Sequence, residues 1–66
     1  MRLTINGEPR DVPEARTLAD VLAELGLDPR LVVVEHNRAI VRRAQLEATT
    51  VGEGDVLELV HFVGGG

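Results

Sequence analysis

Apolar and polar residues alternate at the start of the chain, which predicts a half-buried β-strand. Residues 1–5 follow a two-residue period that places every second side chain on one face of a sheet. Asn6 and Gly7 come next and suit a type I′ turn, because both central positions of that turn need a positive φ. The returning segment, residues 8–12, contains Pro9, which cannot donate a hydrogen bond to a ladder. We therefore predict a β-hairpin whose second strand lies at a sheet edge.

A helical period replaces the alternation between residues 17 and 25. Four apolar side chains recur at spacings of three and four, namely Leu18, Val21, Leu22 and Leu25. This spacing puts them on one face of a helix. Thr17 and Asp20 have the spacing of a capping box. Gly26 can end the helix in a left-handed conformation, and Pro29 prevents its continuation. We predict a helix from about residue 17 to residue 25.

The second half of the chain predicts strands again. Residues 31–35 are rich in β-branched side chains, which favour strands. Residues 39–41 form a short partner strand after a turn at Asn37 and Arg38. Residues 42–54 have no regular pattern, and Leu46 is their expected apolar anchor.

A glycine-rich turn then leads into the longest predicted strand, residues 56–62. The order is therefore strand, strand, helix, strand, short strand and long strand. A hairpin, a crossover helix and further strands predict an α+β fold of the β-grasp (ubiquitin-like) type. We expect a mixed sheet of four to five strands with one helix on one face. The last strand should lie beside the first, in parallel, because this buries the two most apolar strands centrally.

Composition excludes several classes of function. The chain has 66 residues, enough for one domain, and contains no cysteine. His36 and His61 lie far apart without a ligand pattern, so we expect no metal and no bound cofactor. A net charge of −4 with a single aromatic residue argues against a nucleic-acid partner. The sequence has no apolar run long enough to span a bilayer. We expect a soluble, cytoplasmic protein without a membrane partner.

Catalytic motifs are missing as well. Serine and cysteine are both absent, which excludes the common nucleophile triads. The glycines are not followed by the Lys-Ser/Thr pair and helix of a phosphate-binding loop. We therefore expect that the chain is not an enzyme by itself.

The chemistry is expected at the end of the sequence, Val63-Gly64-Gly65-Gly66. Glycine has no side chain, so Gly64 and Gly65 can thread through a channel that is too narrow for other residues. We predict a domain of residues 1–62 followed by a flexible tail of residues 63–66. A glycine-rich end without any role is the alternative interpretation.

The last strand has two apolar faces. Leu57 and Leu59 point one way and are assigned to the core under the helix. The opposite face carries the residues predicted to dock partners: Val56, Val60 and Phe62, with Val63 continuing toward the tail. An exposed apolar patch on a small protein marks a partner surface in many cases. Ordinary scatter of apolar residues over the surface is the alternative.

The chain resembles the thiamine-biosynthesis sulfur-carrier proteins of the ubiquitin-like ThiS family over nearly its whole length. The similar segments are Asn6-Gly7, residues 17–22, residues 25–29, Asn37 before Ile40-Val41, Gly54-Asp55, and the ending from Val60 to Gly66. A terminal pair of glycines is weak evidence alone. The ending, the spacing and the short length together are specific.

The resemblance implies a defined chemistry for Gly66. In the family, an E1-like enzyme uses ATP to adenylate the terminal glycine, which then receives sulfur from a cysteine persulfide. The resulting thiocarboxylate delivers sulfur to thiazole synthase during thiazole assembly. The implied partners are thus the adenylating enzyme, thiazole synthase and a cysteine desulfurase or other persulfide donor. ATP belongs to the activating enzyme.

Two positions depart from the family pattern. The family usually has glycine after the asparagine that corresponds to Asn37, whereas this chain has Arg38. His36 stands where an aliphatic residue is common. We interpret His36 and His61 as strand-end residues without a catalytic role.

Three other functions fit the same pattern. The small subunit of molybdopterin synthase shares the fold and the terminal chemistry, but such chains are usually longer. A ubiquitin-like modifier would attach Gly66 to lysines of a target. A β-grasp binding module would use its sheet and ignore its tail. Carrier and modifier both need an intact Gly66, and a binding module does not.

Overall fold

A computed structural model describes residues 1–62 as one sheet with one helix. The strands are β1 (Arg2–Ile5), β2 (Glu8–Asp11), β3 (Val32–His36), β4 (Ala39–Val41) and β5 (Val56–His61), and the helix is α1 (Leu18–Glu24). Two 3-10 turns, Pro29–Leu31 and Arg43–Gln45, complete the elements. No helix in residues 1–62 has the length and apolarity needed to cross a membrane.

The strand order of the sheet is β2-β1-β5-β3-β4. β1 and β5 run in parallel, and the other neighbouring pairs are antiparallel. The prediction of a mixed β-grasp sheet with the last strand beside the first is confirmed. The parallel pairing requires a crossover, and α1 is part of that connection. β5 consequently has a hydrogen-bonded neighbour on each side.

Local signals define both ends of α1. The side-chain oxygen of Thr17 accepts a hydrogen bond from the Asp20 backbone N–H, and the Asp20 carboxylate accepts one from the Thr17 N–H, as in a capping box. At the other end Gly26 has φ +71°. The Gly26 and Leu27 N–H groups donate to carbonyls of the last turn, which is the Schellman arrangement. The predicted helix is confirmed, with residues 17 and 25 as its caps.

Apolar residues from every strand except β2 pack with the helix in one core, and the contribution of β4 is the partly buried Val41. The fully buried side chains of this core include Leu3, Leu18, Leu22, Leu57, Val12, Val21 and Val34. Leu46, the predicted anchor of the irregular segment, is also buried. In residues 1–62 no polar or charged residue is buried, so the core depends on apolar packing alone.

Some predicted boundaries were wrong by one residue. Leu31 ends a 3-10 turn instead of opening β3, and His36 belongs to that strand. The segment 42–54, predicted to be irregular, contains the second 3-10 turn and a single bridge between Thr17 and Thr50. This bridge ties the segment to the start of α1.

The predicted tail, residues 63–66, lies outside the described residues. The boundary at residue 62 therefore stays a prediction.

Candidate functional site

In the sequence β5 is followed by Phe62 and then by residues 63–66, here called the glycine segment. The attachment of β5 therefore decides where the chain enters that segment. On one side β5 pairs with β3 along five positions, from His36 opposite Leu57 to Val32 opposite His61. On the other side it pairs with β1 at only two positions, the later of which joins Ile5 to Leu57. The second half of β5 thus lacks a backbone partner from β1.

The side chain of Asn6 supplies that missing contact. Its Oδ1 accepts a hydrogen bond from the Leu59 N–H at 2.7 Å, and its Nδ2 donates to the Leu59 carbonyl at 3.1 Å. Asn6 occupies the β1–β2 turn with φ +52°, and Gly7 follows with φ +81°. These angles fit the predicted type I′ turn. An amide side chain therefore extends the pairing of β5 by one residue where the backbone of β1 turns away.

Asn37 holds the other end of β5 in a similar way. Its backbone N–H donates to the Val56 carbonyl at 2.8 Å, and its Oδ1 accepts from the Val56 N–H at 2.8 Å. Asn37 also has a positive φ, +49°, and Arg38 follows with +74°. Arg38 therefore adopts the left-handed conformation that favours glycine.

The backbone remains attached up to the last described residue. The Phe62 N–H donates to the Leu31 carbonyl at 2.7 Å. Residue 62 is thus held against the start of β3, immediately before the glycine segment in the sequence.

The two faces of β5 are exposed to different degrees, as predicted. Leu57 is fully buried and Leu59 is 8% exposed, whereas Val56, Val60 and Phe62 are 44%, 56% and 52% exposed. The burial of the two leucines is confirmed. The role of the other three in docking stays a prediction, and Val63 lies outside the described residues.

Sequence reasoning missed two apolar members of the exposed face. Val33 lies opposite Val60 in the β3–β5 ladder, and Ile40 of β4 lies opposite Glu35. Both are exposed. Val33 could have been found from the two-residue period of β3. Ile40 required the pairing of β3 with β4.

Acidic residues interrupt this apolar face. Glu35 of β3 lies directly opposite Glu58 of β5. The ion pairs within residues 1–62 join the N-terminus to Asp11, Arg30 to Asp28 and His36 to Asp55. Neither glutamate takes part in them.

His36 has a structural partner on the opposite face. Its Nε2 lies 2.7 Å from Oδ2 of Asp55, and the same carboxylate oxygen accepts a hydrogen bond from the Gly52 N–H. The hydrogen bond from His36 is the largest of the effects that lower the pKa of Asp55. This pair joins the end of β3 to the turn before β5. As predicted, His36 and His61 end their strands.

No group of three or more His, Asp or Glu side chains in the described part of the chain could hold a metal ion. What this site offers instead is a firmly held strand, one apolar face and the glycine segment that follows.

Comparisons with known proteins agree with this arrangement. The sequence model of the ThiS family matches residues 3–66. The chain is 37% identical over 67 residues to a protein named sulfur carrier protein ThiS from Bacillus subtilis, with 97% of this chain and 98% of that protein covered. The crystal structure of a thiamine biosynthesis protein (ThiS) from Geobacter metallireducens superposes with a TM-score of 0.82 at 38% identity, covering all of both chains.

A second kind of relative is much longer. The chain is 46% identical over 66 residues to a thiazole synthase from Paramagnetospirillum magneticum. All of this chain is covered, but only 20% of that protein. The chain thus spans about a fifth of the length of the curated thiazole synthases that it matches.

Fold, ending and family match lead to one assignment. In the sequence the glycine segment follows the central strand of the β-grasp sheet, and the family model extends through all three glycines. The chain belongs to the ThiS family.

Proposed function

We propose that this chain is a sulfur carrier of thiamine biosynthesis whose Gly66 bears the sulfur as a thiocarboxylate. An E1-like partner adenylates the Gly66 carboxylate with ATP and releases pyrophosphate. The outer sulfur of a cysteine persulfide then displaces AMP, and a thiol completes the exchange by forming a disulfide with the persulfide's inner sulfur. The thiocarboxylate delivers its sulfur to thiazole synthase. The chain itself carries the acyl group, and its partners supply ATP and the catalytic residues.

The observation that supports this proposal is the position of the glycine segment after a strand that is held on both sides. Asn6 and Leu31 fix β5 up to Phe62. Beyond that point, four extended residues span at most about 13–14 Å. A partner must therefore bring its active site close to this end of the sheet. The three glycines that follow Val63 add no side chain that would block entry into a narrow channel.

We further propose that both the adenylating enzyme and thiazole synthase dock on the exposed face of β5. Val56 and Val60 lie on this face, the exposed Phe62 follows directly after the strand, and the predicted contribution of Val63 continues the surface toward Gly66. Both partners need the same carboxyl group in an active site. The apolar surface lies beside the start of the tail, so a partner that binds there holds the carboxyl group close to its active site.

The intact mass of the untagged protein, purified from its own host, tests the carrier chemistry. We expect a fraction whose mass is increased by the replacement of one oxygen with sulfur. A protein joined through Gly66 to target lysines would instead indicate a modifier.

Deletion of Gly66 tests the assignment of the reacting residue. We expect ATP–pyrophosphate exchange with the activating enzyme to disappear while the melting temperature stays unchanged. Arg10→Ala, at an exposed position of β2, is the control, because it leaves the tail and its carboxyl group unchanged. Exchange that survives the deletion would contradict the role of Gly66, and unfolding of the deletion variant would contradict the separation of tail and domain.

A further inference from the structure

The centre of the exposed sheet face carries two like charges that do not stabilise the isolated domain. Glu35 and Glu58 lie opposite each other on neighbouring strands. Like charges at directly opposed positions destabilise a sheet. Neither glutamate has an ion-pair partner within residues 1–62, although Arg38 and Arg42 flank β4 nearby in sequence.

Apolar side chains lie around this acidic pair. Val33 and Val60 form the neighbouring row of the β3–β5 ladder on the same face, and Ile40 lies beside Glu35 on β4. Val56 of β5 and Phe62, which follows this strand, complete the surface. A partner that covers the apolar residues also removes water from the two carboxylates. Covering them without a counter-charge would leave two buried, unpaired charges.

We infer that thiazole synthase docks on this face with an arginine or lysine side chain that lies between Glu35 and Glu58. This inference rests on the proposed function and adds a specific chemistry to its docking surface. A cation in this position pairs with both carboxylates and relieves their repulsion, while the valines, Ile40 and Phe62 exclude water around it. The acidic pair thus selects a partner with a positive charge at one place.

Two observations favour thiazole synthase over a second copy of the chain. Two copies joined through this face would bring four carboxylates together inside an apolar interface, which like-charge repulsion opposes. The relatives named thiazole synthase carry a segment similar to the whole of this chain within the same polypeptide. A surface of that enzyme therefore already lies within reach of such a domain.

The test compares variants in binding to thiazole synthase from the same organism, measured by titration calorimetry. Glu35→Gln combined with Glu58→Gln keeps the side-chain size but removes both charges, and we expect binding to weaken by about tenfold or more. Glu58→Arg places a positive charge at the position proposed for the partner's cation, so we expect a larger loss of affinity. Glu8→Gln combined with Glu47→Gln removes two exposed charges elsewhere, and we expect a change of less than about twofold.

A second measurement separates docking from folding. The melting temperature of the free domain should stay the same or rise in Glu35→Gln/Glu58→Gln and in Glu58→Arg, because repulsion is removed. Weaker binding together with an equal or higher melting temperature supports the inference. Wild-type affinity in either variant overturns it, as does an equal loss in the Glu8/Glu47 control.

The outcomes also distinguish this inference from the proposed function. If the wild-type protein carries a thiocarboxylate on Gly66 and the glutamate variants bind normally, the carrier function is supported. The proposed cation contact is then contradicted. Wild-type protein that forms thiocarboxylate but does not bind thiazole synthase also overturns the contact. Absence of the thiocarboxylate overturns the proposed function itself, whatever the glutamates do.

Discussion

The two faces of β5 have almost the same hydrophobicity in sequence but opposite environments in the fold. Leu57 and Leu59 pack under α1, whereas Val56 and Val60 face outward. The helix covers only one side of the sheet, so the fold needs only one apolar row in this strand. Apolar side chains on the uncovered side contribute little to folding. Their presence beside the glycine segment is the basis of the proposed docking surface.

The largest effects are expected from introducing the same charge on each of the two faces of β5. Leu59→Asp places an unpaired carboxylate in the core, at a cost of several kcal/mol. This is comparable with the entire stability of a domain this small, about 5 kcal/mol. We expect the variant to be unfolded at 25 °C by circular dichroism.

Val60→Asp is the matched substitution on the exposed face. We expect it to remain folded, with a loss of about 1 kcal/mol or less, because its side chain stays in water. Its binding to both proposed partners should weaken on the order of a hundredfold, since docking would bury the unpaired charge. A folded Leu59→Asp beside an unfolded Val60→Asp would reverse the assignment of the two faces. Normal binding by Val60→Asp would contradict the proposal that partners dock on this face.

The side chain of Asn6 maintains the alignment of both faces at the end of β5. Asn6→Gly keeps the positive φ accessible but removes both hydrogen bonds to Leu59. We expect a loss of about 2 kcal/mol in urea unfolding, because two polar groups of a central strand lose their partners. Asn6→Ala should lose about 1 kcal/mol more, since alanine disfavours a left-handed conformation. Equal stability of Asn6→Gly and wild type would show that the side chain does not hold β5.

The pair of His36 and Asp55 holds the covered side of the sheet at the start of β5 and predicts a dependence on pH. Because hydrogen bonding lowers the pKa of Asp55, its contribution to stability is present above the unfolded pKa, about 3.8. It is lost as the pH falls through the lower, folded pKa. We expect the free energy of unfolding of Asp55→Asn to fall less steeply than that of the wild type below about pH 4. Parallel curves for the two proteins would contradict this role.

The smallest effect is expected at the β3–β4 turn. Arg38 has φ +74°, a conformation that costs a non-glycine residue about 1 kcal/mol. Arg38→Gly removes that cost but increases the freedom of the unfolded chain. We therefore expect a net gain of about 0.5 kcal/mol in urea unfolding, with unchanged binding of partners. Arg38→Ala, which keeps the strain, is the control and should show no gain.

Much of the architecture could be predicted because its signals are local. The capping box of Thr17 and Asp20 and the glycine end of α1 act within a few residues, so sequence spacing is sufficient to recognise them. The turn at Asn6 and Gly7 is local in the same sense. The two-residue period of the strand from Val56 also separated its buried from its exposed side chains.

Contacts between residues that are distant in sequence were decided only by the tertiary structure. The parallel pairing of β1 with β5 ends at Ile5 and Leu57, and the side chain of the next residue, Asn6, then bonds to the backbone of Leu59. Glu35 faces Glu58 because of the register between β3 and β5, and a shift by one residue would turn one of them to the other face. Residue periodicity tells which face of its own strand a side chain occupies. It does not tell which side chain of another strand lies opposite, because packing and pairing of the whole sheet set that register.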